Sequence, residues 1–266
     1  MEEIWDNPFK VFANAPLKAD GELWRYMDFP KFIDLLQRKA LFFTRLENLE
    51  DPLEGHHPRG YYNAMENASV TVHGPPPPPG FDKVLLNNQK HSVPIYRRYI
   101  CINCWHQNKS ESDAMWKLYS RDDKGIAIQS TVNRLNTCFS SPKTHEVIIG
   151  KVNYIDFRST SVERLMPLPG LQKDLSYEHE KEIRATIWSK DVDGKTFDEM
   201  LKMKISKGHY IPVALDTLIE RIYLSPFASD WHHDLINNVL KTYELNVPVM
   251  SSDYRIIPDD FLPREN

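Results

Sequence analysis

Apolar and polar residues alternate through Leu23-Trp24-Arg25-Tyr26-Met27, and this period of two predicts a strand. Pro30 follows at a position that a first helical turn tolerates. Phe32, Leu35 and Leu36 then recur at i, i+3 and i+4, which predicts a helix. Ala40 to Thr44 reads as a short strand and Asp51-Pro52 as a turn. Residues 95–105, rich in Tyr, Ile and Cys, are strand-like. Ser110 or Ser112 can cap a helix over 113–120, with Gly125 where a helix exit often places one. Strands are expected at 125–129 and 146–157, separated by a helix carrying Val132, Leu135 and Phe139. Further strands are expected at about 178–188 and 210–215. The last helix starts near Ser229 and should bury Trp231, Leu235, Val239 and Leu240.

Strands and helices mix without a βαβ rhythm. The pattern therefore predicts an α+β fold, with a mixed, mainly antiparallel sheet and flanking helices. Residues 1–22 form a lead-in whose Trp5 and Phe9 can dock on a single domain spanning 23–266. Residues 66–92 are the least orderly part: five consecutive prolines between Gly74 and Gly80 cannot join a sheet ladder. They read as an exposed loop or, alternatively, as a docking segment for a partner.

Composition narrows the class. Of 266 residues, 41% are hydrophobic and 26% charged, so a packed core is within reach. A formal charge of −4 argues against coating nucleic acid non-specifically, though a local basic groove from Lys83, Lys90, Arg97, Arg98 and Lys109 remains compatible. The opening MEEIWDNPFK has no basic stretch followed by an apolar one, and no apolar run approaches the ~20 residues of a membrane span. Three cysteines fit a reducing compartment. The expectation is a cytoplasmic protein without a membrane partner; the oligomeric state is not encoded in any of these features.

Three segments could carry chemistry. On a strand at 178–188, Glu178, Glu180, Glu182 and Arg184 would share one face, with Ile183, Ala185 and Ile187 on the other. Carboxylates in different environments can divide acid, base and electrostatic roles; the bland alternative is a solvated face with an ion pair. Arg25 and Tyr26 could hold a phosphate and stack a base, or be a surface Arg beside a core Tyr. Trp105 and His106, with Trp116 and Tyr119 three apart on a helix, could form an aromatic wall or a core. Metal chemistry is weaker. Cys101-x-x-Cys104 with His106 lacks a second ligand pair, and Asp51, Glu54 and His56 would suit a hydrolase only if Asp51 were not a turn former. No P-loop, Rossmann, nucleophile-elbow or zincin motif is present.

The segments LWRYMDFPKFIDLLQRKALFFTRLENLEDPLEG, CWHQNKSESDAMWKLYSRDDKGIAIQST, VNYIDF, YEHEKEIRA and RIYLSPFASDW resemble the bacterial domain of unknown function 2971 family. The resemblance covers most of residues 23–250. It departs at Gln172-Lys173-Asp174, where that family tends to show a Lys-Arg pair. At the level of layout, a basic residue on the first strand, an aromatic middle and a late Glu-x-Glu resemble ADP-ribosyltransferases. That resemblance implies Arg25 on phosphate, Tyr26 or Trp116 on a base, and Glu182 or Glu180 beside a ribosyl cation. NAD is then a possible substrate, and no other cofactor is implied.

The same device would serve removal of a base from DNA. The leading expectation is an enzyme acting at an N-glycosidic bond of a nucleotide, either an ADP-ribosyltransferase-like protein or a DNA base glycosidase, with phage defence as an analogy for its setting. Glu180, Glu182 and Arg184 are the catalytic candidates. Arg25, Tyr26, Asp51, Glu54, Trp105, His106, Trp116 and Tyr119 are the substrate-binding ones. A non-catalytic nucleotide or nucleic-acid binding module and a metal-dependent hydrolase are the alternatives.

Overall fold

In chain order the elements are β1 (Glu22–Met27), α1 (Phe29–Arg38), β2 (Ala40–Arg45), β3 (Ile100–Gln107), α2 (Asp113–Tyr119), β4 (Ile126–Thr131) and α3 (Val132–Thr137). β5 (Ile148–Lys151), β6 (Asn153–Ile155), β7 (Gln172–Asp174), β8 (Glu182–Trp188), α4 (Phe197–Lys202) and β9 (Gly208–Pro212) follow. α5 (Leu215–Leu218), β10 (Arg221–Leu224), α6 (Asp230–Thr242) and β11 (Val249–Ser251) complete the order. The computed structural model describes residues 17–60, 92–119, 123–139, 145–158 and 169–252. Trp5, Phe9, the proline run, Lys83 and Lys90 lie outside the described residues.

The fold is mixed α+β with a mainly antiparallel sheet and flanking helices, as the alternation predicts. Two compact units share the chain. The first takes residues 1–17, 42–104 and 143–211; the second takes 18–41, 105–142 and 212–266. Because the units interleave, no single composition shift along the sequence marks them.

In the first unit β3 lies between β2 and β8, with β9 beyond β2 and β5 beyond β8. β2 and β3 pair antiparallel at Thr44 and Ile102, and β5 and β8 do so at Ile149 and Ala185. β6 and β7 form a separate parallel pair that sets Tyr154 opposite Lys173. Leu46, Ile100, Ile102 and Leu171 make one apolar cluster, and Ile95, Tyr99 and Met200 another. Gly208 is a packing necessity: a Cβ there would sit 2.1 Å from the carbonyl oxygen of Phe43, so no other residue fits.

In the second unit β1 lies between the end of β3 and β4, followed by β10 and β11; β10 and β11 run parallel. α1 starts at Asp28, whose side chain accepts from Lys31 N at 2.8 Å, and it buries Phe32, Leu35 and Leu36 as their spacing predicts. No helix among the described residues is long and apolar enough to cross a membrane.

Several expectations need correction. Residues 92–99 are helical, so the strand expected over 95–105 begins at Ile100. The strand expected over 146–157 is two short ones, β5 and β6. Phe139 lies beyond α3, in an isolated bridge to Val213. α6 buries His232, Ile236 and Leu240 and leaves Trp231 53% exposed, so its apolar face is rotated from the expected one. β8 begins at Glu182, and Leu175–Glu180 is a 3-10 turn.

Candidate functional site

Within the first unit, five charged side chains converge in the interior. β8 alternates, so Glu182 and Arg184 share a face while Ile183, Ala185 and Ile187 fill the other with no exposure. Lys181, at φ 43° in the left-handed region, turns the chain between the 3-10 turn and β8. That turn brings Glu180 back against Glu182 although it is not on the strand. The expected row of Glu178, Glu180, Glu182 and Arg184 on one solvated face is therefore incorrect: Glu178 is exposed and the other three are buried.

Arg184 is 1% exposed, and four of its five N–H groups donate within the cluster. Nε donates to Glu182 Oε2 at 2.5 Å, Nη1 to Glu54 Oε2 and to the Gly170 carbonyl at 2.8 Å each, and Nη2 to Glu54 Oε1 at 2.7 Å. The fork geometry suits the carboxylate of Glu54 in a way a lysine could not match. Gly170 reaches this position because it passes so close to Ile100 that a Cβ would lie 2.9 Å from its Cγ2.

Lys173 on β7 donates to Glu182 Oε1 at 2.7 Å and to Glu180 Oε2, and stands 3.8 Å from Glu54 and 4.5 Å from the centre of the Tyr177 ring. The Glu182 backbone N–H donates to the Tyr154 hydroxyl at 2.7 Å. Lys173 and Tyr154 were missed in the sequence; the pairing of β6 with β7 is what puts both at the cluster.

Titration behaviour follows from these partners. Burial pushes the Glu180 carboxyl up to about 7, helped by its hydrogen bond to Glu182 and by that group's charge, against the pull of Lys173. Burial also opposes ionisation of Glu182, but Arg184, the hydrogen bond from Glu180 and Lys173 outweigh it and hold that carboxyl well below the ordinary range. Burial would lower Lys173, yet the charge of Glu182 and the two hydrogen bonds raise it. Two neighbouring carboxyls thus differ in protonation at neutral pH, the condition for dividing proton transfer from fixed-charge roles.

The remaining candidates are placed as follows. Asp51 is a turn former, its Oδ1 accepting from Leu53 N at 2.9 Å, in the loop that carries Glu54. Glu54 spends both oxygens on Arg184, so it is a partner of the cluster and not a metal ligand in a hydrolase with Asp51 and His56. Among the described residues no group of three or more His, Cys, Asp or Glu is placed to hold a metal ion. Arg97 and Arg98 donate to the carbonyls of Pro52, Glu54 and Met203, so they brace loops and are not the free rim the sequence suggested.

In the second unit Tyr26, Trp116, Trp24 and Met115 are core. The Tyr26 ring meets Trp116 edge-on at 4.9 Å and His106 at 6.3 Å, and its hydroxyl accepts from Ser112 N at 2.9 Å. Trp116 Nε1 donates to Glu111 at 2.8 Å. The Arg25 guanidinium lies 5.9 Å from the centre of the buried Trp105 ring, within cation–π range. Tyr119 is 46% exposed, whereas Trp116 is buried.

No family model and no curated protein matches the chain. Among solved structures, the chain is similar to Thermus sp. 2.9 DarT in complex with carba-NAD+, at TM-score 0.37 and 11% identity, over 88% of this chain and 96% of that one. The same protein in complex with ADP-ribosylated ssDNA gives TM-score 0.36 and 10% identity over 90% and 97%. Its complex with NAD+ gives 0.33 and 8% over 89% and 98%. At likeness this low, neither fold nor activity transfers to this chain.

Proposed function

We propose that the chain is an enzyme acting at an N-glycosidic bond of a nucleotide, either as an ADP-ribosyltransferase-like protein or as a glycosidase that removes a base from DNA. The observation that carries this reading is the Glu180–Glu182 pair, two carboxyls on one lysine with opposite protonation tendencies. Glu182 is the fixed negative charge against which an oxocarbenium-like ribosyl cation develops, an electrostatic role that needs no reorganisation during the reaction. Glu180 is the group that exchanges a proton near neutral pH. Arg184 and Lys173 hold the pair in place. NAD and DNA are the two substrates of this reading, and a setting in phage defence belongs to it by analogy alone.

The test is incubation with NAD and with natural and modified DNA, followed by mass spectrometry of released bases. Glu180→Gln and Glu182→Gln should each abolish release while ligand binding persists. Glu180→Gln is the sharper variant because the amide resembles the protonated carboxyl in shape and charge. Full activity in both variants removes the proposed roles.

A further inference from the structure

We infer that His209 is the pin of an acid-released latch: with Nε2 bare it accepts from the buried Arg45 and closes β9 on β2, and with a proton there the latch opens. The basis is the set of groups that Arg45 holds. Its Nε and Nη1 donate to the carbonyls of Ser206 and Arg98, and its backbone N–H donates to the Lys207 carbonyl at 3.2 Å. One residue thus ties the segment before β9 to β2. Nη2 donates to Asp191 Oδ2 at 2.6 Å and stands 3.2 Å from His209 Nε2, with the Ser206 hydroxyl at 3.4 Å.

An arginine only donates, so this contact fixes the tautomer of the imidazole: Nε2 is the acceptor and the ring proton is on Nδ1. Ser189 agrees. Its Oγ lies 2.8 Å from the same Nε2 and accepts from the Asp191 N–H at 3.3 Å, which leaves the hydroxyl hydrogen for the imidazole. A proton on Nε2 would turn the 3.2 Å contact into a donor facing a donor. It would also set a second cation beside a guanidinium that has no exposure. Arg45 cannot yield, because Nε and Nη1 are spent on carbonyls inside the unit. His209 can: its side chain is 19% exposed, and it stands on β9 at the end of the strand order.

The groups around the ring set the direction of the switch. Arg45 faces it from β2, and Asp191 from the 3-10 turn Lys190–Val192, 3.6 Å from Nε2. His145 faces it from the segment before β5, with ring centres 5.4 Å apart, and Lys190 and Asp193 act on His145 in turn. Cys101, near Arg45 and Asp191, is pushed up to about 12 by burial and stays neutral, and Glu47, which also acts on it, is exposed. Burial lowers the His209 value; the charge of Asp191 raises it, that of Arg45 lowers it, and the balance is downward. The closed form therefore binds fewer protons than the open one. Closing is favoured above the ordinary value of 6.5 and is lost as pH falls from there through the folded value.

The test follows amide hydrogen exchange of the full chain by NMR at pH 7.5 and pH 5, with each rate compared with the intrinsic rate at that pH. Protection of the Arg45 amide, which reports the bond to Lys207, should fall at least about tenfold at the lower pH. The amides that pair β5 with β8 should stay within about threefold. His209→Gln keeps an acceptor for Arg45 but gains no charge, so its Arg45 amide should change by less than about threefold. His145→Gln should retain the wild-type fall. The imidazole nitrogen shifts of the wild type at pH 7.5 should show the His209 proton on Nδ1, a result that needs no variant to fold. A proton on Nε2 at pH 7.5, or an Arg45 amide unchanged at pH 5, overturns the inference. So does an equal fall in His209→Gln, a fall shared by β5 and β8, or loss of the fall in His145→Gln.

Discussion

Among the described residues the first unit contains two fully buried arginines, and they are satisfied in different ways. Arg45 gives Nε to the Ser206 carbonyl and Nη1 to the Arg98 carbonyl, at 2.5 Å each, and Nη2 to Asp191 at 2.6 Å. Its guanidinium also covers the Tyr99 ring at 5.7 Å. Asp191 is partly exposed, and burial lowers the pKa of the adjacent His209, so that imidazole is neutral at pH 7. One cation meets one carboxylate and two carbonyl dipoles, and the group is balanced. Arg184 instead meets two carboxylates, Glu54 and Glu182, and Lys173 ties Glu180 to the second of them. One buried arginine braces strands with a single carboxylate; the other sits in a network of several carboxyls. Perturbed groups occur at ion-pair networks and at functional sites alike.

The comparison can be broken from its strongest point downward. Arg184→Met should cost about 3–5 kcal/mol in urea unfolding at pH 7, because it strands Glu54 and Glu182 without their main counter-charge. A loss below ~1 kcal/mol would mean that the cluster is not assembled as described. Arg45→Met should cost less, about 2–3 kcal/mol by the same measurement, since water can reach Asp191 and the abandoned groups are mostly carbonyls.

Glu180→Gln addresses the raised carboxyl itself. The ordinary carboxyl value is 4.5 and the folded one about 7, so between these the folded chain binds more protons than the unfolded chain. The stabilisation is complete below the lower value and is lost as pH rises through the upper one. Relative to wild type, the variant should therefore gain stability from pH 5 to pH 8, by on the order of 2 kcal/mol. His57 acts in the opposite sense: burial, then the charge of His56, depresses it to about 4, so its stabilising contribution is lost as pH falls from 6.5. It is common to both proteins and cancels in the difference. A pH-independent difference between variant and wild type would place the proton elsewhere.

Much of the fold is legible in the residues. The alternation over 23–27, the i, i+3, i+4 spacing of Phe32, Leu35 and Leu36, and the turn at Asp51 reappear in β1, α1 and an Asx turn, because each is set by local periodicity or local hydrogen bonding. Residues 92–99 misled because Val93, Ile95 and Tyr99 are apolar without a telling period, and length alone does not separate a short helix from a strand. The glutamates at 178, 180 and 182 misled for a different reason. Their spacing of two mimics a strand face, and the positive φ at Lys181 that breaks it leaves no mark on a lysine. Lys173 leaves no local signal because its importance is long-range: nothing in Gln-Lys-Asp announces two buried glutamates as its partners.

The pairing of Glu54 with Arg184 joins positions 130 residues apart. During synthesis at about 5–20 residues per second, roughly 10 s separates the emergence of the acid from that of its base. The loop carrying Glu54 is thus made early and secured late, and the hydrophobic contacts around Leu46 must hold without that pairing in the interval. The buried charged cluster of this unit is assembled near the end of its making, once β8 is in place.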